Sequence, residues 1–205
     1  MNIKKIIYNF LGKIYIPKNL IENNDPILIH ISDTPVFSYR AIKKMIQVLG
    51  PKYLVHTGDI SDDLKVEMYP NLEEDAKKKA YSLIDSLITQ GFKSYISLGN
   101  HDSYSILSRY ADNTSIEITD SKGYIELGDK KIAYSHYSNL LKKSPGDINL
   151  YGHDLSIPSQ TIENKIFLNG IESINIINLN TFEIFKLDYP AGTDSSRLRK
   201  FKTGL

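Results

Sequence analysis

From residue 26 the chain alternates short apolar runs with longer stretches of helical periodicity. "ILIHIS" (27–32) reads as a buried strand, and "SYRAIKKMIQVLG" (38–50) follows with Ile42, Met45, Ile46 and Leu49 on one helical face. Gly50 and Pro51 end that helix. "KYLVHTG" (52–58) is the next strand. Asn71 and Glu74 resemble an N-terminal capping pair. Ala76, Ala80, Leu83, Ile84, Leu87 and Ile88 then form an apolar stripe up to Gly91. "KSYISLG" (93–99) is a third strand, with a short helix expected over 103–110.

Beyond residue 114 the texture turns to β. "SIEI", "GYIEL", "KKIAYSH", "INLYGH", "KIFLNG", "SINIINL" and "FEIFKL" are short, rich in Ile, Tyr and Phe, and spaced by turn residues. No linker divides the halves, and no internal repeat is present. The pattern predicts one α/β domain over 26–188, with two packed sheets and helices on the outside. Residues 1–25 read as an amphipathic extension packed on the domain's edge, the alternative being a partner or membrane role. Residues 189–205 read as a polar, basic and loose tail.

Composition narrows the chemistry. The net charge of +1 gives no whole-molecule field to recruit nucleic acid or an anionic membrane. With no cysteine, disulfides and thiolate metal sites are excluded, so a metal must sit on His, Asp, Glu or Asn. The early lysines of "MNIKKIIYNFLGKIYIP" suggest a signal peptide, but its apolar stretch is short, Lys13 interrupts it and no small-residue cleavage site follows. No run approaches the ~20 apolar residues of a membrane span. The expectation is a cytoplasmic protein.

The informative residues stand at strand ends. Five strand candidates run into Asp33, into Asp59, into Asn100–His101–Asp102, into His136 and into His153. Ligands of α/β sheets bind just outside the carboxyl ends of strands. Gly58, Gly99 and Gly152 precede three of these residues and let the backbone turn sharply there. Carboxylate, amide oxygen and imidazole together suit a hard or borderline divalent ion. Such an ion acidifies bound water or polarises a phosphoryl oxygen. The residues alone therefore suggest a metal-assisted hydrolase.

In order, "SDTP", "GDISD", "GNHD", "YSHY" and "YGHDL" resemble the motif series of the calcineurin-like metallophosphoesterases: D-x-H, G-D-x-x-D, G-N-H-D, a lone His and G-H-x-H. The resemblance covers residues 27 to 170 and implies an αββα sandwich of two sheets flanked by helices. It implies that Asp59 bridges two metal sites and that Asn100, His136 and His153 complete the second. Asp33 would belong to the first site, whose two histidine positions hold Pro35 and Leu155 here. The implied cofactor is one or two divalent ions, with Mn favoured and Fe, Zn or Ni compatible, the first ion being weak or absent. His101 resembles the residue that contacts phosphate and protonates the leaving oxygen, and Asp102 the carboxylate that orients it.

The implied function is hydrolysis of a phosphate mono- or diester by metal-activated water. The alternative is a catalytically weak or inactive scaffold, a use to which the retromer scaffold subunit puts this fold. A small phosphate ester is the expected substrate, with no strong nucleic-acid signal, while a homo-oligomer or protein partner stays open. His30 and His56 lie inside strands, out of phase with Asp33 and Asp59, and read as satisfied core histidines. Asp62 and Asp63 are expected to cap the loop after Asp59. Asp154 sits at a variable motif position, and Lys65 is a candidate cation beside Asp33.

Overall fold

The apolar runs become the strands of two facing sheets. The computed structural model describes residues 3–61, 73–102, 104–110 and 115–197. The first sheet holds β1 (Ile27–Ile31), β2 (Tyr53–His56), β3 (Lys93–Ser97), β4 (Ile116–Thr119), β10 (Ile174–Asn178) and β11 (Ile184–Leu187), in the order β11-β10-β1-β2-β3-β4. β1 to β4 run parallel, and β10 and β11 add antiparallel at one side. The second sheet holds β5 (Lys122–Leu127), β6 (Lys130–Ser135), β7 (Ile148–Tyr151), β8 (Gln160–Ile162) and β9 (Lys165–Asn169), in the order β5-β6-β7-β9-β8. There β6, β7 and β9 are parallel.

Strand alternation distributes the core. Leu28, Val55 and Ile177 face Ile132, Tyr134, Leu150 and Leu168 between the sheets. Ile29, Ile31 and Leu54 point the other way, onto Ile42, Met45 and Ile46 of α3 (Tyr39–Leu49). β1 is therefore covered on both faces, which is why it reads as an almost unbroken apolar run. Leu83 and Ile84 of α4 (Glu73–Ile88) cover Ile96 and Ile116 on the same outer face. On the far side Leu141 of α6 (Ser138–Lys143) packs with Ala133, Tyr151 and Phe167. The layers are α, β, β, α, as expected.

Three segments depart from the sequence reading. α6 carries just two buried side chains, Ser138 and Leu141, too few to give a stripe. β8 is exposed throughout and joins β9 through Glu163 and Asn164, both at positive φ. That is a tight hairpin of the primed kind without the glycine that normally signals it. The expectation of a loose tail from residue 189 fails for 189–197: Tyr189 and Arg197 are buried, and α7 (Thr193–Arg197) ends on the latter. Asn71 and residues 198–205 lie outside the described residues.

Two elements precede β1. Ile14, Ile16 and Leu20, the last in α2 (Lys18–Ile21), pack into the α3 side of the core. α1 (Ile3–Phe10) contributes no buried residue.

Candidate metal centre

Parallel strands of both sheets end at one edge of the sandwich, and their following loops meet there. The chain after β1 bonds to the chain after β2, with Asp33 N–H donating to Gly58 O (2.9 Å) and Thr34 N–H to Asp59 O (3.1 Å). Gly152 N–H donates to His136 O (3.1 Å), joining the loops of β7 and β6. A side-chain carbon at Gly99 would overlap the Asp59 carboxylate, and one at Gly152 would overlap Ser32 Oγ and Asp33 Oδ2. These glycines let loops carrying ligand-type side chains touch one another. Asp33, Asp59 and His153 hold positive φ angles of 50°, 55° and 71°. Left-handed backbone costs such residues roughly 1–2 kcal/mol each, and non-glycine strain of this kind concentrates at functional sites.

The donor atoms converge on His136 Nε2. Asn100 Oδ1 and His153 Nδ1 each lie 3.1 Å from it, and Asp59 Oδ2 lies 3.7 Å away. A ligand shell at ~2.1 Å from a divalent ion places neighbouring donors roughly 3.0–3.4 Å apart. Asp33, Asp59 and His136 also offer ligand atoms within 4.8 Å of one another. His136 Nδ1–H donates to Thr57 O (2.6 Å), which leaves the Nε2 lone pair aimed at this cluster. Burial lowers the His136 pKa, against the opposing field of Asp33 and the Thr57 bond. That shift favours the neutral ring, the form that binds metal. By donor type, spacing and tautomer the residues fit a divalent ion.

His101 lies at the edge of this cluster. Its N–H donates to Asp59 Oδ1 (2.9 Å), and its Nε2 is 4.0 Å from Asp59 Oδ2. The Asn100 amide bridges two imidazoles, with Oδ1 towards His136 and Nδ2 3.1 Å from His101 Nε2. Asp102 is placed differently from expectation. Its carboxylate accepts N–H bonds from Asp59 (2.7 Å), Ile60 (2.8 Å) and Gly99 (2.8 Å), so it clamps the Asp59 loop where it was expected to orient His101. Burial pushes its pKa up to about 7, against those three bonds, which favour the charged form.

The remaining candidates separate clearly. Asp154 is partly exposed and caps its own turn by accepting Ser156 N–H (2.7 Å), and its hydrogen bonds from Ser156 lower its pKa. Leu155 is exposed and Pro35 buried, and Pro35 O accepts Ser38 N–H at the turn that leads into α3. Neither side chain has an atom able to bind a cation. Asp62, Asp63 and Lys65 lie outside the described residues. His30 and His56 are core residues, fully buried, with burial driving both pKa values to about 3.

His30 nevertheless reaches the site indirectly. Asn175 Nδ2–H donates to His30 Nδ1 (3.1 Å), so His30 Nε2–H donates to Thr57 Oγ1 (3.0 Å). Thr57 Oγ1 donates to Ser32 Oγ (2.8 Å), and Ser32 Oγ to Asp33 Oδ2. The sequence reading missed two further supports. Arg197 donates to Asp33 O (2.6 Å), Ser32 O (3.0 Å) and Ile171 O (2.8 Å), pinning the loop after β1. Tyr137 packs edge-on against both His136 and His153, with ring centroids 4.8 and 4.7 Å away.

Comparison with known proteins agrees with this architecture. Residues 27–197 match the family model for the calcineurin-like phosphoesterase domain. A solved structure described as a novel archaeal phosphodiesterase is similar at 17% identity and a TM-score of 0.57, over 78% of this chain and 98% of its own. The phosphoesterase Yfce from E. coli is similar at 16% identity and a TM-score of 0.54, over 80% of this chain and 99% of its own. No curated protein matches the sequence.

Proposed function

Because the chain belongs to the calcineurin-like phosphoesterase family, we propose that it hydrolyses a phosphate ester at one divalent-ion site. Asp59, Asn100, His136 and His153 are the ligands, with Asp33 beside them. The observation that carries the reading is the convergence of Asn100 Oδ1, His153 Nδ1 and Asp59 Oδ2 within 3.7 Å of His136 Nε2. When bound, the ion supplies Lewis-acid polarisation and a water of lowered pKa. Mn is favoured, and Fe, Zn and Ni suit the same mixed donors. Pro35 and Leu155 bring no donor atom, so a second ion is weak or absent.

The chain's own residues do the rest. The Asn100 amide and the His101 ring border the place where a phosphoryl group would sit. His101 Nε2 lies 4.0 Å from the Asp59 carboxylate, and in this reading the ring acts in its protonated form. It gives its proton to the leaving oxygen as the P–O bond breaks and a water oxygen joins phosphorus. The products are an alcohol and a phosphate. Asp102 acts by holding Asp59 and Ile60 through their N–H groups, whereas the sequence reading had it orient His101.

The test is turnover of p-nitrophenyl phosphate and bis(p-nitrophenyl) phosphate by the manganese-loaded protein, before and after His101→Ala. The wild type should turn over at least one of them. The variant should keep its ion and lose a factor of ~10²–10⁴, the contribution of a positioned general acid. An unchanged rate would remove His101 from the role. No turnover by ion-loaded wild type on these and a wider set of esters would favour a binding role for the fold.

A further inference from the structure

The helix α1 is attached the wrong way round for a structural element. Its polar face holds it to the domain: Lys5 pairs with Asp188 (2.9 Å), Asn9 Nδ2 donates to Tyr189 O (2.9 Å), and Asn9 O accepts Ala191 N–H (3.3 Å). Its apolar residues Ile3, Ile7, Phe10 and Leu11 recur at helical spacing and share the opposite face. They are 71%, 51%, 81% and 63% exposed. A helix that merely covered the sandwich would bury that face.

We propose that α1 is a docking element for an anionic lipid surface. Charge complementarity selects this occupant. Between Ile3 and Ile21 the sequence has four lysines and no aspartate or glutamate. Two of them, Lys5 and Lys18, pair with Asp188 (2.9 Å) and Glu22 (3.2 Å), which leaves the segment a net cationic excess. Lys4 is exposed near the start of the helix and Lys13 just past its end, so cations flank the apolar face. Tyr8, half exposed and packed edge-on against Tyr15 (5.7 Å), lies at the flank, where amphipathic rings sit at headgroup level. Apolar side chains with lysines around them are the two components of interfacial helix binding.

Other occupants fit less well. A second copy using the same face in a two-fold pairing would bring like-charged lysines together. The helix is about 12 Å long, and four side chains fall short of the ~800 Å² per partner that stable protein interfaces bury. A bilayer requires no matching shape and accepts a short face.

The experiment is flotation of the full chain with phosphatidylcholine vesicles and with vesicles containing 30% phosphatidylglycerol. The expected result is binding to the anionic vesicles alone, weakened as salt rises. The double variant Ile7→Glu/Phe10→Glu should lose at least tenfold in vesicle affinity with an unchanged melting temperature, since both side chains are exposed. Lys4→Glu/Lys13→Glu should bind more weakly without disturbing the apolar face. No binding by the wild type, or equal binding to both vesicle types, would overturn the proposal. So would a concentration-dependent dimer in light scattering that Ile7→Glu/Phe10→Glu abolishes, because the face would then belong to a second copy.

Discussion

Gly99 shows how far single positions control this site. Its missing side chain is what allows the Asp59 carboxylate to lie against the loop after β3. Gly99→Ala must displace either the ligand or the loop. The expected outcome is a loss of about 10–100-fold in ion affinity, the range seen when support of a metal ligand is removed. Calorimetric titration with manganese checks it, and an unaltered affinity would mean that Asp59 does not hold the ion. The glycine was legible in the sequence as a sharp turn, whereas its actual neighbour, another loop's carboxylate, was not. Asp102 illustrates the same limit. Adjacency to His101 suggested a pair, but which group a carboxylate accepts from depends on the fold, and three backbone N–H groups from two loops reach it first.

Among the elements, those with strong periodicity were legible and those held by few contacts were not. The two-sided burial of β1 and the stripe of α3 leave unmistakable patterns, as does the switch to short strands after residue 114. β8 has no buried face to leave a trace, and α6 too little of one. The segment 189–197 looked loose because its composition is polar. Its polarity is used internally, with the Arg197 guanidinium spanning three carbonyls and stacking on the Tyr189 ring at 4.4 Å. Hydrogen bonds from a charged group contribute ~1.5–3 kcal/mol, and carbonyls left buried without partners add to the loss. Arg197→Ala should therefore lower unfolding free energy by about 2–4 kcal/mol. It should also loosen Asp33, which shares the pinned loop. Urea denaturation gives the first quantity, and a change under 1 kcal/mol would show that α7 is dispensable.

At the scale of the whole molecule, two histidines closed inside the sandwich make stability depend on pH. His30 and His56 stay neutral in the fold down to about pH 3, while in the unfolded chain they take up protons below about 6.5. Between those values the unfolded state binds more protons, so stability rises with pH and falls as the solution is acidified. Going from pH 7.5 to 5.5 should remove roughly 3 kcal/mol for the pair. Asp102, its carboxyl raised to about 7 in the fold, works the other way. The check is therefore the pH dependence of urea midpoints in the wild type against His56→Gln. The variant should lose about half of the pair's effect, and identical dependence would contradict the neutral buried state. The proposed ion would add its own stabilisation. Bound to the folded form alone, it should raise the melting temperature, and chelator should reverse the gain.

In the function proposed here, the loops, strand ends and glycines at the edge of the sandwich form one place for an ion, and Pro35 and Leu155 bring no donors for a second. Metal stoichiometry per chain tests this most directly, by elemental analysis after purification without chelator and incubation with manganese. The account predicts about one tightly held ion, lost on substitution of His136 or Asn100. No bound ion, or two held with equal tenacity, would contradict it.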